Sequence, residues 1–91
     1  MMSSALTVTN PLGLHARAAA RFVHAASAFA SRIRVARGDR EMDGKSIMGL
    51  LLLGAPQGSV ITISADGPDE QQALDALTGL VTRGFDEVSC A

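Results

Sequence analysis

His15 stands between a turn-forming stretch, Asn10-Pro11-Leu12-Gly13-Leu14, and an alanine-rich run that begins at Ala16. A neutral imidazole offers a nucleophilic ring nitrogen near pH 7. If a helix begins at Ala16, its first amide N–H groups have no internal acceptors. Together with the macrodipole they form a site for an anion such as phosphate. A phosphoryl group on His15 would then lie against the Ala16 and Arg17 amides, and the Arg17 guanidinium would add charge-assisted hydrogen bonds. Nucleophile, anion site and counter-cation fall within three consecutive residues. Spacing alone serves a plainer role more often, that of an ordinary cap or loop histidine. Metal binding has less support. His24 lies well along the same helical run, where a solvated histidine is the simplest reading, and no cysteine or carboxylate sits near at ligand spacing. No metal and no cofactor is expected.

Ser46 is the second polar residue of interest. It ends the loop Asp43-Gly44-Lys45 and precedes the apolar run Ile47 to Leu53, so it is expected to cap a short helix. That run holds Ile47, Met48, Leu50, Leu51, Leu52 and Leu53, more apolar residues than one face of so short a helix can bury; Leu50 and Leu53 are expected in the core. Spacing gives no account of Gly49.

These residues must be positioned by the elements around them. Ala5 to Thr9 alternates Leu6 and Val8 against threonines, a half-buried strand. From Ala16 to Ala30, residues Ala19, Phe22, Val23, Ala26, Phe29 and Ala30 recur at three- and four-residue steps, one face of an amphipathic helix. Arg32 to Arg37 alternates again, with Ile33 and Val35 on one side, and Gly38-Asp39 predicts a tight turn into a short strand over Arg40 to Asp43. Gly54, Pro56 and Gly58 make a loop before a strand that sets Ile61, Ile63 and Ala65 on one face. A last helix opens with Pro68, Asp69 and Glu70 in its first turn and buries Leu74, Leu77 and Val81. Gly79 inside it costs up to about 1 kcal/mol against alanine, which suggests close packing there. The order is βαββαβα, an α+β sandwich with helices covering one sheet face. The pattern does not give the strand order.

The chain of 91 residues allows one small domain, residues 1–91, with one core. Hydrophobic residues make up 47% but only three are aromatic, all phenylalanine, so the core must be aliphatic and alanine-rich. A net charge of -1 leaves no general footprint for nucleic acid or an anionic membrane. Arg32, Arg34, Arg37 and Arg40 cluster around one hairpin, yet without tyrosine or tryptophan there is no stacking platform for RNA. An RNA- or effector-binding module is therefore the weaker alternative. Cys90 stands alone, so no internal disulfide is expected, and near the end of the chain it reads as an inert thiol. Met1 to Ala5 does not read as a signal peptide, and no apolar run approaches the roughly 20 residues needed to span a bilayer. A cytoplasmic protein is expected.

The run Gly13-Leu14-His15-Ala16-Arg17-Ala18-Ala19, followed by Lys45-Ser46-Ile47-Met48-Gly49-Leu50, resembles the HPr family, phosphocarrier proteins of the bacterial sugar phosphotransferase system. The resemblance extends over essentially the whole chain. It implies an open-faced β-sandwich, a four-stranded antiparallel sheet with three helices on one side. It further implies that His15 accepts a phosphoryl group on Nδ1 from phosphorylated Enzyme I and passes it to a histidine of an Enzyme IIA domain, with Arg17 pairing with the phosphate. Such a protein is a carrier that is regenerated, rather than a turnover enzyme. Ser46 matches the serine modified by HPr kinase/phosphorylase, and Ile47, Met48 and Leu51 match the exposed partner-binding patch; a monomer is implied. The family pattern reads His-Ala-Arg-Pro-Ala, whereas this chain has Ala18 in place of the proline. That departure bears on the rigidity of the first turn, and leaves a nitrogen-related or regulatory branch as the alternative to the sugar pathway.

Overall fold

The computed structural model describes residues 1–86, so Cys90 lies outside the described residues. Seven elements follow one another as β1 (Met2–Thr7), α1 (Ala16–Ala26), β2 (Arg32–Arg37), β3 (Arg40–Asp43), α2 (Ile47–Leu53), β4 (Val60–Asp66) and α3 (Glu70–Thr82). The strands form one antiparallel sheet in the order β1-β4-β2-β3. This is the expected four-stranded sheet with three helices. The spatial order places the last strand between the first two, a long-range pairing that no local pattern encodes.

Register sets which side chains meet. Leu6 pairs with Ile61, Val35 with Ile63, Ile33 with Ala65 and Met42 with Val35, so the apolar residues of all four strands share one face. The helices cover that face: α3 packs on β1 and β4, α2 on β2 and β3, and α1 bridges the two helices. The core joins Phe22, Ile33, Leu50, Leu53, Ile61, Ile63, Leu77, Val81 and Phe85, all at most 1% exposed. The expected stripe Leu74, Leu77 and Val81 is buried, together with Ala73 and Leu80. The opposite sheet face carries the short side chains Ser3, Ser64, Ala5, Thr62 and Ala36 together with the charged Arg32, Arg34, Glu41 and Asp66.

Three elements have bounds that differ from the sequence reading, and one packing expectation also changes. β1 begins at Met2 and stops at Thr7, because pairing with β4 from Met2↔Ala65 onward recruits serines that alternation alone does not mark. Helix α1 ends at Ala26 rather than Ala30. Its chain then tightens through i→i−3 bonds, Ala28 N–H to the Ala25 carbonyl and Phe29 N–H to the Ala26 carbonyl, both 3.2 Å. Lys45 Nζ takes the Phe29 carbonyl at 2.7 Å, and tertiary contacts here override alanine's helix propensity. Helix α3 begins at Glu70, leaving Pro68 and Asp69 outside its first turn. The Asp69 carboxylate accepts instead from the Ala30 amide, the Ser31 amide (each 2.9 Å) and the Ser31 hydroxyl. Finally, a Cβ at Gly79 would meet only the far end of the Arg83 side chain, at 3.1 Å, so no close backbone packing requires that glycine.

No helix among the described residues is long and apolar enough to cross a membrane.

Candidate functional site

The loop before α1 is tied down at every step. Asn10 is buried and its Nδ2 donates to the Gly13 carbonyl at 2.8 Å, while Gly13 N–H donates to the Asn10 carbonyl at 3.0 Å. Leu14 N–H donates to the Ala55 carbonyl at 2.8 Å, fastening the loop to the segment between α2 and β4. Gly13 has φ +65°, and a Cβ there would lie 2.5 Å from the Ala55 oxygen and 2.9 Å from Pro56 Cα. Only glycine meets both the backbone angle and the close approach. His15 N–H then donates to the Gly13 carbonyl at 3.0 Å, so the imidazole is set by a clamped turn.

His15 is the N-cap of α1, with extended backbone (φ −84°, ψ −179°). Its carbonyl accepts from Ala19 N–H at 2.8 Å, and its Nδ1 accepts from Arg17 N–H at 3.3 Å. An Nδ1 that accepts an amide proton carries a lone pair there, and in the neutral ring the proton then sits on Nε2. The cap therefore selects the tautomer whose lone pair faces the helix amides. Ala16 and Arg17 are exposed beside it, and no acceptor among the described residues takes the Ala16 amide. The Arg17 guanidinium makes no ion pair or hydrogen bond among the described residues. Ala18 is fully buried, as are Ala19 and Ala26, and Phe22 is the one large anchor that α1 inserts into the core. With alanines contributing little buried area, the clamped turn matters to α1's position as much as packing does.

Ser46 caps α2 as expected: its Oγ accepts from Gly49 N–H at 3.0 Å and its carbonyl from Leu50 N–H at 3.1 Å. The nearest atoms to a Cβ built at Gly49 are 3.4 Å away, on Met42 and Ser46, so nothing demands a glycine there. Leu50 and Leu53 are buried, while Ile47, Met48 and Leu51 are 43%, 65% and 37% exposed. Helix α2 packs on α1, so this apolar patch lies on the helix neighbouring the one His15 caps. Sequence reasoning missed Leu52, 58% exposed, and Leu12, 70% exposed in the turn before His15. An apolar residue between Pro11 and Gly13, in a turn too short to bury it, was the available signal for Leu12.

The hairpin arginines are dispersed among structural tasks. Arg34 pairs with Glu41 at 2.8 Å, and Arg37 and Arg40 donate to the Leu53 and Leu52 carbonyls at 3.3 and 3.2 Å. The last two satisfy terminal acceptors of α2 at the negative end of its dipole. His24 is exposed on α1, away from His15, and no group of three metal-binding side chains occurs among the described residues.

Residues 2–83 match the family model described as the PTS HPr component phosphorylation site. Phosphocarrier protein HPr of Cupriavidus necator is 46% identical over 87 residues, covering 96% of this chain and 98% of that protein. Phosphocarrier protein NPr of Shewanella violacea is 42% identical, covering 92% of both. The crystal structure of HPr-C-His from Thermoanaerobacter tengcongensis superposes with a TM-score of 0.92 at 44% identity, covering 96% of this chain and 98% of that one. A clamped histidine on a helix N-terminus, an arginine two residues on and an exposed apolar helix beside them thus occur in a chain that belongs to the HPr family of phosphocarrier proteins of the phosphotransferase system.

Proposed function

We propose that this chain accepts a phosphoryl group on His15 Nδ1 from phosphorylated Enzyme I and hands it to a histidine of an Enzyme IIA domain. The observation that carries this reading is the Nδ1 lone pair, held toward the first turn of α1 by the Arg17 amide. In transfer, the Nδ1 lone pair forms a bond to phosphorus as the donor's P–N bond breaks and the donor nitrogen keeps its electron pair. The ring proton stays on Nε2. The Ala16 and Arg17 amides then face phosphoryl oxygens, with the macrodipole favouring the added charge. Arg17, exposed and unengaged by other described side chains, supplies a bidentate cation as charge accumulates on the equatorial oxygens. Passing the group onward reverses these steps, so the protein is a carrier without a cofactor.

Ile47, Met48 and Leu51 provide the docking patch, to which the structure adds Leu52 and Leu12 as exposed apolar neighbours in the same helix and in the preceding turn. Methionine adapts to unrelated partner surfaces, which suits a carrier that meets both a donor and several acceptors. Phosphorylation of Ser46 by an HPr kinase/phosphorylase would add about two negative charges at the N-terminus of α2. The cap geometry tolerates the group, and repulsion of Enzyme I follows from charge. The protein works as a cytoplasmic monomer. Similarity to an NPr as well as to HPr proteins keeps the nitrogen-related branch as the second reading, with the same chemistry. The nucleic-acid reading loses its support, since three of its four hairpin arginines are engaged within the fold.

The test is incubation with purified Enzyme I and phosphoenolpyruvate, read by intact mass, on wild type and His15→Ala. One acid-labile phosphate adduct, absent from the variant, is the expected result; a wild type that stays unlabelled by Enzyme I of its own organism refutes the proposal. Enzyme I paralogues of the sugar and nitrogen-related branches, compared by labelling rate, decide between the two readings.

A further inference from the structure

Helix α1 presents Arg17, Arg21 and His24 at positions i, i+4 and i+7, one line along its surface. That line borders an open groove of about 860 Å³ between α1 and α3. Like charges at i and i+4 disfavour a helix, and Arg21 alone of the row has a side-chain hydrogen bond among the described residues. Small residues, Ala20 and Ala76, together with buried Leu80, line the groove between its polar edges. Two carboxylates border it also: Asp86 is ion-paired, accepting from Arg83 Nε at 2.8 Å and lying within reach of the Arg21 charge, whereas the Asp75 carboxylate accepts from the neutral Gln71 Nε2 at 2.9 Å and keeps its charge at the α3 edge. Arg21 is fixed by its Nη1, which donates to the Phe85 carbonyl at 2.8 Å. That carbonyl belongs to a turn in which Phe85 and Asp86 both take left-handed backbone angles, φ 60° and 58°. Strained backbone of this kind persists only where its surroundings hold it, and it clusters at ligand sites.

We infer that the α1–α3 groove binds a small phosphate monoester, its phosphate between Arg17 and Arg21 and its neutral body on the Ala20, Ala76 and Leu80 floor. The volume falls in the range of about 300–1,000 Å³ seen for small-molecule sites, which combine an apolar lining with a few placed polar groups. From Arg17 to His24 the helix rises about 10 Å, the length of a hexose monophosphate. Bound there, the ligand occupies the Arg17 guanidinium and so competes with phosphoryl transfer at His15. The competition rests on the phosphocarrier reading; the binding does not.

The experiment is a ¹H–¹⁵N shift titration of the full chain at constant ionic strength, with glucose 6-phosphate, inorganic phosphate and glucose as separate probes. The expected result is saturable shifts at Ala20, Ala76 and Leu80 with glucose 6-phosphate in the millimolar range, about tenfold tighter than with inorganic phosphate. Ala76→Glu, which places a carboxylate on an exposed position of the groove, weakens that binding about tenfold or more while leaving the thermal midpoint unchanged. Arg21→Gln weakens it likewise. Shifts confined to Ala16 and Arg17, equal for both phosphates, would mean an anion at the helix terminus only and overturn the site, as would shifts that Ala76→Glu leaves intact. Labelling of His15 by Enzyme I, followed with and without glucose 6-phosphate, reads the competition separately. A slowed wild type and an unaffected Ala76→Glu are expected, and equal slowing of both overturns it.

Discussion

Replacing Gly13 by alanine tests whether the turn before α1 is clamped as tightly as its contacts imply. Gly38 is the internal control, because it shares the left-handed angle (φ +62° against +65°) but has open space around the position of a Cβ. Both substitutions force an L-residue into that conformation, at about 1–2 kcal/mol. At Gly13 the new methyl must also displace the Ala55 oxygen, 2.5 Å away, and Pro56 Cα, 2.9 Å away, neither of which is a flexible side chain. Overpacking of this kind costs about 1–3 kcal/mol. Movement of Ala55 also strains the Leu14 N–H bond to its carbonyl, worth about 1 kcal/mol. Gly13→Ala is therefore expected to lose about 3–6 kcal/mol against about 1–2 for Gly38→Ala, the sum of these terms. In urea, with a slope of about 1–2 kcal/mol/M for a small domain, Gly13→Ala shows a midpoint lower by at least about 1 M than Gly38→Ala. The same pair separates function from stability: at a urea-free temperature where both are folded, Gly38→Ala labels at the wild-type rate and Gly13→Ala labels slowly. Equal midpoints would mean that residues 10–15 relax freely against residues 55 and 56. The account of how His15 is held would then be wrong.

Other expectations concern single contacts. Ser46→Ala removes the Oγ acceptor of the Gly49 amide and should lower stability by about 1 kcal/mol in urea, while Ser46→Asp, which keeps a capping oxygen, should lose far less. Met48→Asp, at an exposed position, should leave the thermal midpoint unchanged and raise KM for Enzyme I without lowering the maximal rate; unchanged kinetics would remove Met48 from the interface. The Asp69 carboxyl is held below its ordinary value by the Ser31 hydroxyl first and the Ala30 amide next. Its stabilising contribution is thus complete above the unfolded carboxyl value, about 3.9, and is lost as the pH falls through the lower folded value. Asp69→Asn should flatten the acid limb of a stability–pH curve below about pH 4, and a limb of unchanged slope would show that other carboxylates carry it.

Much of this fold is legible in the sequence because its elements are short and strongly patterned. Ile33 and Val35, Ile61, Ile63 and Ala65, and Leu74, Leu77 and Val81 all point where their spacing says. What spacing leaves out is whatever depends on a partner far along the chain. Asp69 looks like a first-turn acid that suits the helix dipole, yet its carboxylate reaches across to Ala30 and Ser31. The same link helps to end α1 early, since a helix continued to Ala30 would leave no extended chain to offer those two amides. The strand order follows from pairing β4 with both β1 and β2, a choice made by the sheet as a whole. Arg37 and Arg40 read as part of a basic cluster and turn out to finish α2.

The candidate site was legible for a different reason: its residues are local. His15, Ala16 and Arg17 are adjacent, and a helix N-terminus needs no distant partner to present amides. What could not be read is why the histidine is oriented, because Gly13 and Ala55 meet only in the folded chain. That orientation has a consequence for the carrier. Under the proposed transfer, the Arg17 amide that holds Nδ1 beforehand would face the phosphoryl oxygens afterwards, so phosphorylation would exchange a long, neutral cap bond of 3.3 Å for charge-assisted ones. Charge-assisted bonds of this kind are roughly twice as strong as neutral ones, and on that reading the exchange would strengthen the first turn of α1 while the group is carried. A carrier must also release its cargo, which requires that this gain be modest. The cap bond is long, position 18 is an alanine and Arg17 has no partner of its own among the described residues, so on the proposed reading little within the first turn has to break when the group arrives or leaves.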